Sequence, residues 1–119
     1  MIFIRFILMA LLFLCLPVHA TTANDASITW IDVRSVEEYD AGHIEGHANI
    51  PHQQIAQSIA ELTTDKSAPI RLYCRSGRRS ELAQQTLQAM GYTDVVNMGG
   101  YETVAAELEA AAETEALAQ

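Results

Sequence analysis

The chain has 119 residues, 50% apolar, 18% charged and 7% aromatic, and carries a formal net charge of −8. That length and balance fit one small globular domain and exclude a disordered chain or a multidomain assembly. The acidic excess also disfavours nucleic acid as a partner, because its phosphates repel such a surface.

The apolar residues are unevenly spread. Residues 1–20 contain a single charge, Arg5, ahead of the run Phe6 to Leu16, which is too short to span a bilayer. This pattern predicts a secretory signal peptide, cleaved after Val18-His19-Ala20, and hence a periplasmic protein with no stable membrane association once the leader is gone. Leu14 stands before Cys15 where a lipid-attachment signal needs a small residue. An uncleaved leader serving as an anchor is the alternative. Residues 21–119 hold six basic against fifteen acidic residues, a net −9, and one cysteine, Cys74. A single thiol closes no internal disulfide, so Cys74 is either a small buried hydrophobe or a reactive group.

Residues 21–27 read as a flexible N-terminal segment, 28–112 as the folded domain, and 113–119 as a frayed tail. The β-branched and aromatic run Ile28 to Val33 predicts a strand. Ser35-Val36-Glu37-Glu38 is a capping box that opens a short helix, which Gly42 ends. A turn-rich stretch from Gly42 to His47 leads to a brief extended piece closed by Pro51. A helix follows over about 52–62, with Ile55, Ile59 and Leu62 on one face.

Ile70 to Tyr73 is the next strand, with Cys74 at its C-terminal end. Residues 75–79 form a loop before a helix over about 80–90, whose apolar stripe is Leu82, Ala83, Leu87 and Met90; Gly91 stops it. Thr93 to Asn97 predicts a last strand, Gly99-Gly100 a turn, and Tyr101 to about Ala112 a final helix. Strands alternating with helices call for a small, mostly parallel sheet covered on both faces, a three-layer α/β/α domain. Sites in such sheets form at the carboxyl ends of the strands, where Cys74 lies.

Three of the six basic residues of 21–119 fall in the loop Cys74-Arg75-Ser76-Gly77-Arg78-Arg79-Ser80. A tight loop entering a helix aims backbone N–H groups and the positive end of the helix dipole inward, and Gly77 lets it turn. From an ordinary thiol pKa of about 8.5, a fall of about two units makes the thiolate the majority form at pH 7. Cys74 is therefore the candidate nucleophile, and Arg75, Ser76, Gly77, Arg78 and Arg79 the candidate ligands of a small oxyanion. Two chemistries use such a nest: attack on a phosphate ester, or attack on the outer sulfur of a species such as thiosulfate. Arg79 follows Cys74 after four residues, one fewer than cysteine phosphatases use, so the smaller ring favours a single sulfur.

Asp32 and Arg34 end the first strand near this loop. Arg34 is expected to pair with Asp32 or Glu38 and brace the adjoining turn. His43, His47 and His52 are interrupted by Gly42, Gly46 and Pro51, which argues against a metal site and for structural roles. Trp30 and Tyr73 are expected in the core, and the Glu run of 102–115 on a solvated helix face.

Three segments together resemble the rhodanese family of sulfurtransferases: Asp32-Val33-Arg34 through Glu38 to Gly42-His43-Ile44-Glu45-Gly46-His47-Ala48-Asn49-Ile50-Pro51; the Cys-x-x-Gly-x-Arg loop at 74–79; and Val96-Asn97-Met98-Gly99-Gly100. The resemblance implies a rhodanese-like fold and a Cys74 thiolate that takes sulfur from thiosulfate, releases sulfite and passes the sulfur from a persulfide to cyanide or a thiol. It implies no cofactor or metal and architectural roles for Asp32, Arg34, Glu38 and His43; a monomer is expected. A non-catalytic module that binds a partner or senses redox state is the rival reading. Tyr101 departs from the tryptophan of many members, and the N-terminal strand and helix of longer relatives are missing.

Overall fold

The structure is a computed structural model that describes residues 27–118. The expected leader 1–20 lies outside these residues, as does most of the segment 21–27. Four parallel strands form one sheet in the order β2-β1-β3-β4: β1 Thr29–Asp32, β2 Ala48–Asn49, β3 Ile70–Cys74 and β4 Val95–Gly100. The helices are α1 Val36–Ala41, α2 Ile55–Ser58, α3 Arg78–Ala89 and α4 Tyr101–Leu117. The α/β class and layered arrangement are those the sequence predicts, and the sheet is parallel throughout.

Side chains alternate across each strand, so each element contributes to both faces. On one face Ile31, Val33, Ile70, Leu72, Cys74 and Val95 pack with Ile55, Ile59, Ala83 and Leu87 of the covering helices in a single buried cluster. On the other face Trp30 and Tyr73 meet His47 and Tyr101, and α4 begins the thinner third layer, with Val104 buried.

Several elements differ from the sequence expectation. The helix expected over 52–62 is three short pieces: a 3-10 turn at His52–Gln54, one α-turn, and a second 3-10 turn at Ile59–Glu61. Ile55 and Ile59 are buried as expected, but Leu62 is exposed. In α3 the inward positions are Ser80, Ala83 and Leu87, spaced by three and four residues, which turns Leu82 to the surface; Met90 keeps the inward spacing but lies at the C-cap, past the last helical residue, and is exposed. Gly99 and Gly100 lie in β4 instead of a turn, because Gly100 pairs with Cys74 across an irregular register. Helix α4 continues to Leu117, past the expected end near Ala112 and into the segment expected to fray.

Candidate active site

Cys74 ends β3, and its side chain is fully buried. The chain then turns through Arg75, Ser76 and Gly77 and enters α3 at Arg78, two residues earlier than expected. Gly77 caps that helix with φ +94°, a conformation that favours glycine, and a Cβ there would stand 3.2 Å from the Gly99 Cα. Its amide N–H donates to Cys74 Sγ at 2.9 Å, and the Ser80 hydroxyl lies 3.6 Å from the same sulfur. Gly100 closes the other side: a Cβ on it would meet the Arg75 carbonyl oxygen at 2.8 Å, so only glycine lets β4 approach the loop this closely.

Burial pushes the Cys74 thiol pKa up. The Ser80 amide and hydroxyl, then the Ser76 and Gly77 amides, pull it down further, leaving it below the ordinary value. The N-terminus of the twelve-residue α3 faces the same sulfur and adds its partial positive charge.

The loop arginines do not act alike. Arg75 and Arg78 are exposed, as is Ser76, and neither arginine has an ion pair among the described residues. Arg79, expected as an anion ligand, gives Nη1 and Nη2 to Glu38 Oε1 and Oε2 at 2.6 and 3.0 Å. Glu38 is also the capping-box residue of α1, its carboxylate reaching back to the Ser35 N–H. With Arg79 its first cause, the Glu38 pKa falls to about 2. Arg34 therefore takes the other partner considered for it: Nε and Nη2 bind the Asp32 carboxylate at 2.7–3.0 Å. Nη2 also donates to the Gly42 carbonyl, and the guanidinium sits 4.0 Å over the Tyr101 ring.

His43 is exposed and stacked on Tyr39, with Nδ1 2.8 Å from the Tyr39 carbonyl oxygen. His47 stacks on Trp30, with Nδ1 2.7 Å from the Tyr73 hydroxyl, and burial lowers its pKa. Among the described residues no group of three or more His, Cys, Asp or Glu side chains converges on one point. Beside the loop lies a cavity of about 550 Å³, bordered by Arg34, Glu38, Arg75, Tyr101 and Glu102.

Residues 19–107 match the model of the rhodanese-like domain. The chain belongs to the rhodanese-like domain family. It is 42% identical over 76 residues to the thiosulfate sulfurtransferase PspE of Escherichia coli (strain K12), covering 64% of this chain and 73% of that protein. It is 32% identical over 87 residues to the thiosulfate sulfurtransferase GlpE of Pseudomonas fluorescens (strain SBW25), covering 72% and 78%. Among solved structures, a rhodanese with anions from E. coli superposes with a TM-score of 0.60 at 41% identity, covering 63% of this chain and 88% of that one.

Within this rhodanese-like frame the sequence reading overlooked three residues at the loop. By sequence Ser80 reads as the start of a helix and Gly100 as part of a turn; the one signal for Asn97 and Gly100 is their place in the family segment Val96-Asn97-Met98-Gly99-Gly100, since their partners lie far off in sequence.

Proposed function

We propose that this rhodanese-like domain is a thiosulfate sulfurtransferase that works through a persulfide on Cys74. The Cys74 thiolate attacks the outer sulfur of thiosulfate, the bond between that sulfur and the sulfonate sulfur breaks, and sulfite departs with the electron pair. The persulfide anion left on Cys74 is held by the inward amides of 75–79. Cyanide, or a thiol in the cell, then attacks the outer sulfur and returns Cys74 to its thiolate. Arg75 and Arg78 draw the anionic donor against the repulsion of an otherwise acidic chain, while Arg79 is held by Glu38 and braces the loop. Export to the periplasm is part of this reading, supported by the composition of residues 1–20.

The observation that carries the proposal is the Gly77 N–H at 2.9 Å from a buried Sγ at the N-terminus of α3. Steady-state kinetics test it. Parallel double-reciprocal lines for thiosulfate and cyanide, lost in Cys74→Ser, are the expected outcome. Turnover no higher than the Cys74→Ser control would leave a binding or redox-sensing module, and Cys74-dependent hydrolysis of an aryl phosphate would point to phosphatase chemistry.

A further inference from the structure

We propose that Asn97 is a positioning residue for the Cys74 sulfur, acting through the Gly77 peptide and the Ser80 hydroxyl. Asn97 lies in β4, and its side-chain amide makes three hydrogen bonds at the loop. Nδ2 donates to the Gly77 carbonyl at 2.8 Å, while Oδ1 accepts the Gly99 N–H at 2.9 Å and the Ser80 hydroxyl at 2.7 Å. The Gly99 N–H can only donate and the Gly77 carbonyl can only accept, so the backbone itself fixes which way the Asn97 amide faces.

Both groups it holds face the sulfur. Gly77 supplies the N–H that reaches Sγ, and a clamp on its carbonyl resists rotation of a left-handed residue that has no side chain to hold it. Ser80 has one hydroxyl hydrogen and three acceptors nearby: Asn97 Oδ1 at 2.7 Å, the Gly77 carbonyl at 3.0 Å and Sγ at 3.6 Å. While the Ser80 hydrogen rests on Oδ1, the hydroxyl oxygen is held beside the sulfur; the same hydrogen reaches Sγ only by leaving Oδ1, so the clamp on Gly77 carries the positioning role. The lowered pKa of the thiol, to which Ser80 and Gly77 contribute, agrees with this arrangement.

The inference rests on the reading of Cys74 as a reactive nucleophile, but its test does not require sulfur transfer. The rate of alkylation by iodoacetamide is followed against pH in the folded full chain and in Asn97→Ala, Asn97→Asp and Ser80→Ala. Asn97→Ala frees the Gly77 carbonyl and so loosens the residue whose N–H reaches Sγ, and the alkylation midpoint is expected to rise by about one pH unit, up to tenfold in thiolate at neutral pH. Asn97→Asp, nearly identical in shape, turns an acceptor against the Gly77 carbonyl and brings negative charge to the site, so its midpoint is expected to rise further. Ser80→Ala should give the smallest rise. The Arg79 charge that acts on Cys74 is common to all four proteins.

Thermal melting by circular dichroism identifies any variant that is unfolded, and should Asn97→Ala be one, Asn97→Ser, which adds no charge, takes its place. Midpoints within about 0.2 pH units of the parent in folded Asn97 variants would overturn the proposal. A shifted midpoint in a protein that moves no sulfur would keep the positioning role and overturn the enzymatic one.

Discussion

On one face of the sheet Ile31, Ile70 and Leu72 meet Ile55, Ile59, Ala83 and Leu87 in a cluster in which every one of these side chains is at most 1% exposed. On the other, Trp30 is half-buried, His47 and Tyr73 share a hydrogen bond, and the Asp32–Arg34 ion pair lies under Tyr101. The first face is stabilised by non-directional burial of aliphatic area, the second by polar contacts with fixed geometry and defined protonation states. Cys74 belongs to the aliphatic face, where burial alone would keep it a neutral thiol. The amides at the tip of α3 and the Ser80 hydroxyl reverse that tendency, which is why the loop, and not the core, carries the chemistry.

If the faces differ in this way, truncations on them should differ in cost. Leu72→Ala opens a cavity in a cluster that cannot collapse around it and should lower stability by about 2–5 kcal/mol in urea unfolding. Trp30→Ala removes a larger side chain, yet one that is partly exposed and packed on polar rings, and should cost less, about 1–2 kcal/mol. Equal losses, or a larger one at Trp30, would break the comparison.

A smaller effect sharpens it through pH. Glu38 has its pKa lowered from 4.5 to about 2, so the stability its ionised form contributes is full above 4.5 and is lost as pH falls towards 2. Glu38→Gln keeps a side chain suited to the capping box and removes only the charge paired with Arg79. The difference in melting temperature between parent and variant should correspond to under about 1 kcal/mol at neutral pH, shrink with salt, and vanish near pH 2. His47 has the opposite ionisation with the same slope. Its folded pKa is lowered from 6.5, so the folded state resists protonation and stability falls as pH drops below 6.5, a decline that His47→Asn should flatten. A variant difference that persists undiminished to pH 2 would show that Glu38 acts through packing.

The loop itself was legible in the sequence because its signals are local. Three arginines, one glycine and one cysteine lie within six residues, between a β-branched strand and a helical pattern. The capping box of α1 was legible for the same reason. The pairing of Arg79 with Glu38 was not legible, because the two are 41 positions apart and local sequence records a positive charge without saying which carboxylate it meets. Asn97 and Ser80, 17 positions apart, share a hydrogen bond only because parallel pairing of β3 with β4 brings the two ends together. Gly99-Gly100 reads locally as a turn, and tertiary pairing with Cys74 overrides that preference. Leu82 fails for a simpler reason: apolar residues at a helix surface are common, and phase rather than hydrophobicity decides which ones turn inward, whereas Met90 has the right phase but sits at the C-cap beyond the covering turns.

The most direct test of the account is mass spectrometry of the intact protein after incubation with thiosulfate. A gain of one sulfur atom, mapped to the peptide that contains Cys74, removed by cyanide and absent from Cys74→Ser, is the predicted result. A parent protein whose mass is unchanged by thiosulfate, or whose added sulfur survives cyanide, would contradict it.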